Sequence, residues 1–357
     1  AVGLLLGGVL TEYLNWRWGL LISVPLAAIP FVGALFFVQN DEKSDRSTRL
    51  DLPGAVLATV GLAGLVYGFS LAQTHGWGDV VTLGTFAGAV VLLAAFTLLQ
   101  ARRRDPLLPL RILTERNRLG AYLSAALGLF SFYGVSLFLT FYLQIVKGYS
   151  PALTGVAFLP VAIAQAVGAS WIGSWLLSRV RPGLVMTGGY LCSGLSVLLL
   201  LLLDADSPFS PILLITQIGL GLGLGVALNP ATSLSNHGVR DEDSGVASAM
   251  INISQQVGGS IGTALLNTLA TSATAGYLVS HVAAPENNAL IHGYRVAYVW
   301  AAGALFAAAL VSLLLVTLGR PGPAKKAEHT PDTEVAEHAG PAQAAEQADG
   351  AETARPA

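Results

Sequence analysis

The sequence predicts an all-α, polytopic membrane protein, and three observations carry that prediction. Hydrophobic residues fill 53% of the 357 positions and charged residues only 11%, where soluble domains carry roughly 25%. Mean hydropathy is +0.62. Apolar runs long enough to cross a hydrocarbon core of roughly 30 Å recur along the chain, and the basic residues gather in alternate connections between them.

Residues 1–10 (AVGLLLGGVL) read as the end of a spanning helix. The chain opens at Ala1 inside an apolar stretch, without the charged-then-apolar order of a signal peptide. It is therefore read as a fragment whose N-terminal portion is missing. Nine fuller runs follow, at 18–38, 54–73, 80–100, 119–146, 151–178, 183–203, 211–231, 245–271 and 294–318. Residues 319–357, rich in Ala, Pro, Glu and Gln, read as a disordered cytoplasmic tail. The net charge of −2 says nothing about partners because the charges are segregated, and nothing in the chain points to nucleic acid. The single Cys192 excludes disulfides within the chain.

Orientation follows from the positive-inside rule. With the connection at 39–53 in the cytoplasm, sixteen of the nineteen Lys and Arg residues fall inside; only Arg17, Lys147 and Arg295 fall outside. The C-terminus is then cytoplasmic. In this arrangement Trp16, Trp18, Trp77, Tyr149 and Tyr294 sit near the outer interface and Trp175 near the inner one. They read either as an aromatic belt or as packing residues.

The stretch SGVASAMINISQQVGGSIGTALLNTLAT (244–271) is the most informative. At about 100° per residue, Gly245, Ser248, Asn252, Gln255, Gly259 and Gly262 share one face, and Val246, Met250, Ile253, Val257, Ile261 and Leu265 the other. Gln256 widens the polar side. Unpaired amides in hydrocarbon cost several kcal/mol, so this stripe faces helices or a water-filled cavity. Two readings are open: helix packing through small residues with amides as links, or a passage for a solute. Gly219, Gly221, Gly223 and Gly225 form two overlapping GxxxG spacings, and Gly258 with Gly262 a third; close helix contact and mobility are both open. Pro160 and Pro230 are expected kinks and hinge candidates, since each removes a helix hydrogen bond.

No Walker A or HExxH pattern occurs, so no catalytic residue, cofactor or metal site is expected. The histidines lie in connections or the tail. The nine runs hold one ionisable residue, Arg295, at an edge. A proton carrier, which usually is an intramembrane ionisable group, is therefore expected in the missing N-terminal part. Glu12 and Arg17 read either as a gate or as solvated. Asp241, Glu242 and Asp243 precede a helix and suit its N-terminus.

Two segments resemble the fourteen-helix drug:proton antiporters of the major facilitator superfamily. AVGLLLGGVLTEYLNWRWGLLISVP (1–25) is similar to the antiporter motif closing the fifth helix and the entry to the sixth. Gly3, Gly7, Gly8, Trp16, Arg17, Trp18 and Pro25 match; Leu4 replaces a family Pro and Ser23 a common Asn. YLQIVKGYSPALTGVAFLP (142–160) matches a second signature at Gln144, Gly148, Ser150, Pro151, Gly155 and Pro160. Residues 245–266 resemble the penultimate helix, with Gln256 where Arg is common.

The resemblance implies a major facilitator fold. Residues 1–38 would end the N-terminal half, 39–53 and 101–118 would be cytoplasmic connections, 54–100 an inserted helix pair, and 119–318 a C-terminal six-helix bundle. Gln144, Gln165, Asn229, Asn252, Gln255 and Gln256 would be polar candidates for a central cavity, with Phe132, Phe138 and Tyr142 as aromatic ones. The implied activity is export of hydrophobic or amphipathic compounds by proton antiport across the inner membrane. The implied partners are an organic solute, protons, the bilayer and the missing N-terminal half. The alternatives are a dedicated exporter of one metabolite or lipid, and, from another class, a membrane sensor or intramembrane enzyme.

Overall fold

The computed structural model describes residues 2–37, 51–103, 106, 108–204, 211–240, 243–281 and 285–318, and among these it contains helices and no strand. Most of the connection at 39–53, the charged positions Arg104, Asp241 and Glu242, and the tail at 319–357 lie outside the described residues. Three helices come first: α1 (Val2–Tyr13), α2 (Trp16–Leu21) and α3 (Ser23–Phe37). The hairpin α4 (Leu52–His75) and α5 (Val80–Arg102) follows, then a short α6 (Leu110–Thr114). The bundle comprises α7 (Arg116–Phe141), the broken span α8 (Pro151–Ala157), α9 (Leu159–Val167) and α10 (Gly173–Leu177), then α11 (Pro182–Leu198), α12 (Pro211–Asn236), α13 (Ser244–Ser280) and α14 (Glu286–Leu315).

Eight segments among the described residues are long and apolar enough to cross a membrane: 16–36, 52–72, 80–102, 116–146, 151–177, 182–202, 211–236 and 286–315. They match eight of the nine runs expected. The ninth does not qualify. At 37 residues α13 is about 55 Å long, yet its amides, hydroxyls and glycines leave it too polar to stand alone in lipid. It depends on its neighbours, α7, α14, α12 and α4.

Glycine sets those contacts. A methyl group on Gly258 would collide with the Ala126 carbonyl oxygen of α7, and one on Gly262 with that of Phe130. The two GxxxG spacings of α12 serve different neighbours. Gly221 and Gly225 meet the carbonyls of Val161 and Gln165 on α9, whereas Gly219 and Gly223 meet Ser196 and the Gly189–Ser193 stretch of α11. Helix association in lipid rests on this close approach. Hydroxyls add links: Ser131 donates to the Ala301 carbonyl at 2.7 Å and Ser193 to that of Leu220 at 3.1 Å.

Helix ends account for their own polar groups. The Glu115 carboxylate caps α7, accepting from the Asn117 and Arg118 amides at 3.1 and 2.8 Å. Asn117 Oδ1 accepts from the Thr317 and Leu318 amides, clasping the end of α14 to the start of α7. Asp51 caps α4 through Gly54 N–H, accepts from Gln100 Nε2 at 2.7 Å and pairs with Arg103 at 2.8 Å. The Gln100 amide above all, with the Gly54 N–H, holds the Asp51 carboxyl below the usual carboxylate range. On α4, Gly61, Gly64 and Gly68 take Leu93, Ala89 and Phe86 of α5, so the hairpin is closed along its length.

Several expectations need correction. Helix α13 continues to Ser280 and α14 begins at Glu286, which makes His292 helical. Arg295, assigned to the outer side, donates to the Leu203 carbonyl at 2.9 Å and pairs with Asp204 at 2.7 Å. Tyr294 does not belong to an aromatic belt, because it is buried with its ring 5.5 Å from that of Phe138. Asp243 at the start of α13 pairs with Arg111 of α6.

Alanine favours helix over glycine by about 1 kcal/mol, yet Gly258→Ala should lower the thermal unfolding midpoint, because overpacking costs about 1–3 kcal/mol. Gly88→Ala on α5, where nothing lies within 4 Å of the added methyl, should be neutral or stabilising. Melting curves in detergent read both, and an unchanged midpoint for Gly258→Ala contradicts the contact.

Candidate substrate cavity

The signature at 142–160 contributes to one wall of a cavity, and several of its residues have a local task. Tyr142 opens a π-turn (Tyr142–Val146) and donates to the Asp204 carbonyl at 3.0 Å. Gly148 has φ of 66°, a left-handed conformation that only glycine adopts freely. It lets the chain reverse, with the Tyr149 amide reaching back to the Leu143 carbonyl. Ser150 caps α8, and Pro151 takes the first helical position, where its missing N–H costs nothing.

The C-terminal part of α1 closes on this wall. A methyl on Gly8 would lie 2.6 Å from the Pro151 carbonyl oxygen, so only glycine permits the approach. One turn further, Glu12 Oε2 accepts the Ala152 amide at 2.8 Å. The Ser150 hydroxyl above all, and then the Ala152 N–H, hold the Glu12 carboxyl below its usual 4.5. Glu12 is thus exposed but engaged, joining α1 to the start of α8. Arg17 is not its partner: its guanidinium stands 5.0 Å from the Trp16 ring centroid.

Between α1 and the α7–α8 wall lies a cavity of about 540 Å³. Gly3, Gly7 and Gly8 floor it, and a ladder of Tyr133, Ser136, Thr140 and Gln144 descends one side at helical spacing. Thr11, Thr154, Gly155, Phe132 and Phe158 complete it. Among the described residues, no carboxylate or amine lines it. Thr140 and Thr154 spend their protons on the Ser136 and Ser150 carbonyls, so their oxygens face the cavity as acceptors. Gln144 supplies the amide that both donates and accepts. The chemistry offered is apolar surface with a few hydrogen-bonding atoms, the usual profile of a site for organic molecules.

The nine cavity candidates therefore divide. Gln144 and Phe132 line this cavity together with Gly3, Gly7 and Gly8. Asn252 and Gln256 line a separate groove of about 590 Å³ between α13 and α4, with Val66, Tyr67 and Ser70. Ile253 and Val257 line it too, so amide and apolar faces are not segregated there. Gln255 is half-buried and lines neither. Gln165 and Asn229 lie at the α9–α12 seam, where Asn229 donates to the Ala169 carbonyl. Phe138 and Tyr142 are buried in the bundle; Phe138 borders a third cavity of about 330 Å³ with Asn267 and Tyr294.

Pro160 follows a break: α8 ends at Ala157 and α9 begins at Leu159. Pro230 lies within α12, whose helical residues run unbroken to Asn236. Sequence reasoning missed Thr11, Tyr133, Ser136, Thr140 and Thr154. The 133, 136, 140, 144 spacing was a readable signal.

The sequence matches the Major Facilitator Superfamily over residues 1–263. Among curated proteins it is 42% identical over 320 residues to puromycin resistance protein pur8 of Streptomyces alboniger, covering 88% of this chain and 63% of that one. It is 34% identical over 328 residues to cephamycin export protein CmcT of Amycolatopsis lactamdurans, covering 90% and 65%. It is 35% identical over 273 residues to the tetracenomycin C resistance and export protein of Streptomyces glaucescens, covering 76% and 50%. The chain thus spans less than two thirds of the length of these relatives.

The Glu12 contact carries a pH dependence. A carboxylate whose folded value is depressed stabilises fully above its ordinary value and loses that contribution as pH falls through the depressed one. Hydrogen exchange of the Ala152 and Leu153 amides, corrected for intrinsic rates, should stay slow above 4.5 and accelerate in stronger acid. Glu12→Ala should make it fast throughout, and Arg17→Ala should leave it unchanged. Equal exchange in Glu12→Ala and the parent chain contradicts the contact.

Proposed function

This chain belongs to the major facilitator superfamily, and from that premise we propose that it is part of a secondary transporter exporting hydrophobic or amphipathic organic compounds. The observation that carries the reading is the uncharged cavity of about 540 Å³ between α1 and the α7–α8 wall. A solute held there meets aromatic rings, bare helix backbone and a ladder of hydrogen-bonding groups ending in Gln144. Such a site suits neutral or weakly polar molecules better than sugars or free anions. It contains neither dense paired donors nor a cation to receive them.

Alternating access would part the seam between α1 and α8. The Gly8 approach and the Glu12 cap close that seam on one side. We propose that residues 1–38 end one six-helix half, that 119–318 form the other, and that 54–100 are an inserted pair. A multi-pass membrane protein with this charge distribution is proposed to sit in the inner membrane with its C-terminus cytoplasmic. The exchanged ion is proposed to be the proton, taken up at a carboxylate other than the residues lining this cavity. No enzymatic chemistry is assigned.

A second reading keeps the fold and narrows the cargo to one compound. It is favoured by the relatives whose names each specify a single antibiotic. A biosynthetic cluster beside the coding sequence, with transport confined to its product, would support this reading.

The test is retention of a dye and antibiotic panel in cells lacking efflux pumps. The transporter carrying this chain is expressed at the length of its relatives, with and without a protonophore. Expression should lower retention, and the protonophore should restore it. Gln144→Leu should cut export about tenfold, the cost of one hydrogen bond of roughly 1.4 kcal/mol, and Gln165→Leu should cut it little. Equal retention in expressing and empty cells, or equal losses in both variants at matched expression, contradicts the proposal.

A further inference from the structure

The outward face of the span 151–177 carries a second feature, remote from the cavity. Trp171 is 77% exposed and Trp175 52%, one turn apart. The Arg179 guanidinium lies over Trp175, its carbon 4.0 Å from the ring centroid. Trp171, Ile172 and Trp175 line an open groove of about 350 Å³.

The fold commits this face outward. Gly168 and Gly173 both pack on α12, the first with an added methyl 2.5 Å from the Leu222 carbonyl oxygen, the second 3.5 Å from Val226 Cα. Five residues of α-helix turn through about 500°, which would leave two such glycines about 140° apart. The π-turn at Gly168–Ile172 absorbs the difference through its wider i→i+5 winding. With both glycines held on α12, the indoles point away from the bundle.

The turn at 178–181 joins two membrane-crossing segments and so marks a membrane–water boundary. Arg179 and Arg181 are both exposed there, and among the described residues no carboxylate pairs with either. Trp171 lies six residues before the helix end at Leu177, about 9 Å deeper at roughly 1.5 Å per residue, within a leaflet whose hydrocarbon is about 15 Å deep.

We infer that the Trp171–Trp175–Arg179–Arg181 face is a binding site for an anionic glycerophospholipid. Its phosphate would sit between the two guanidiniums, whose planar donors match phosphate oxygens. One acyl chain would lie along the indoles. Stacking on Trp175 holds Arg179 at the boundary before the lipid arrives, so little side-chain freedom remains to be lost. A soluble phosphate would leave the indole-lined groove unfilled, and a zwitterionic lipid would bring a cation against two arginines.

The test uses the 357-residue chain in nanodiscs of phosphatidylcholine containing a minor fraction of brominated phosphatidylglycerol or of brominated phosphatidylcholine. The Trp171 and Trp175 signal is the difference between the parent chain and Trp171→Phe/Trp175→Phe. Each arginine should enrich anionic lipid about fivefold, so brominated phosphatidylglycerol should quench that signal well beyond brominated phosphatidylcholine. Arg179→Gln/Arg181→Gln should abolish the excess. Arg179→Lys/Arg181→Lys should retain part of it, which a misfolded chain would not. Equal quenching by the two lipids overturns the inference, and so does an excess that survives loss of both arginines. Loss of the excess on adding glycerol phosphate would assign the site to free phosphate instead and equally overturn it.

Discussion

Direct backbone contact between helices, possible only where side chains are absent, is the constraint on which this structure rests. Lipid tails are as apolar as leucine, so sequestering hydrophobic surface gives membrane helices little reason to associate. Close approach supplies that reason by bringing many atoms into dispersion range and letting serine hydroxyls reach across. Gly258 and Gly262 hold α13 on α7, and Gly221 and Gly225 hold α12 on α9. The same logic positions the cavity. Gly8 admits the Pro151 carbonyl, while Gly3 and Gly7 leave the adjacent helix surface bare where the cavity needs room.

The glycines thus divide into those that close space and those that open it, and α1 contains both kinds. This bears on how such a protein would move. A seam made of backbone contact and one carboxylate cap has little interdigitation to undo, whereas Tyr190, Met186 and Leu224 are fully buried in the bundle core. Motion at the α1–α8 seam with a rigid α7–α11–α12–α14 core is the division of labour that this packing favours.

Much of the fold could be read from the sequence, because membrane spans announce themselves by length and composition. Eight runs are apolar spans in the structure, within a few residues of their expected bounds except for the start of the last. Polarity decided where reading failed. In α13, helical periodicity grouped glycines and amides on one stripe, although the glycines serve α7 and Asn252 and Gln256 border α4. A projection at 100° per residue cannot tell two neighbours apart when both accept small or polar residues. The two π-turns were invisible, since an inserted residue leaves no mark on composition. They change which residues share a face, as at Gly168 and Gly173. The cavity was half legible. Gln144 and the α1 glycines stood out, but Ser136 and Thr140 looked like ordinary helix residues until α1 was placed opposite them.

The hairpin α4–α5 keeps its own polar accounts. Asp51, Gly54, Gln100 and Arg103 satisfy one another at its base, glycines seat α5 on α4, and Trp77 stacks on Phe86 at its tip while reaching Thr268 with a single hydrogen bond. Its contact with the six-helix bundle runs along α13, where Asn252 and Gln256 border α4. Were the hairpin an insertion, as proposed above, its internal base and seam would let a lineage acquire or discard it by adjusting α13 alone, and sequence change in the hairpin should track that one face of the bundle.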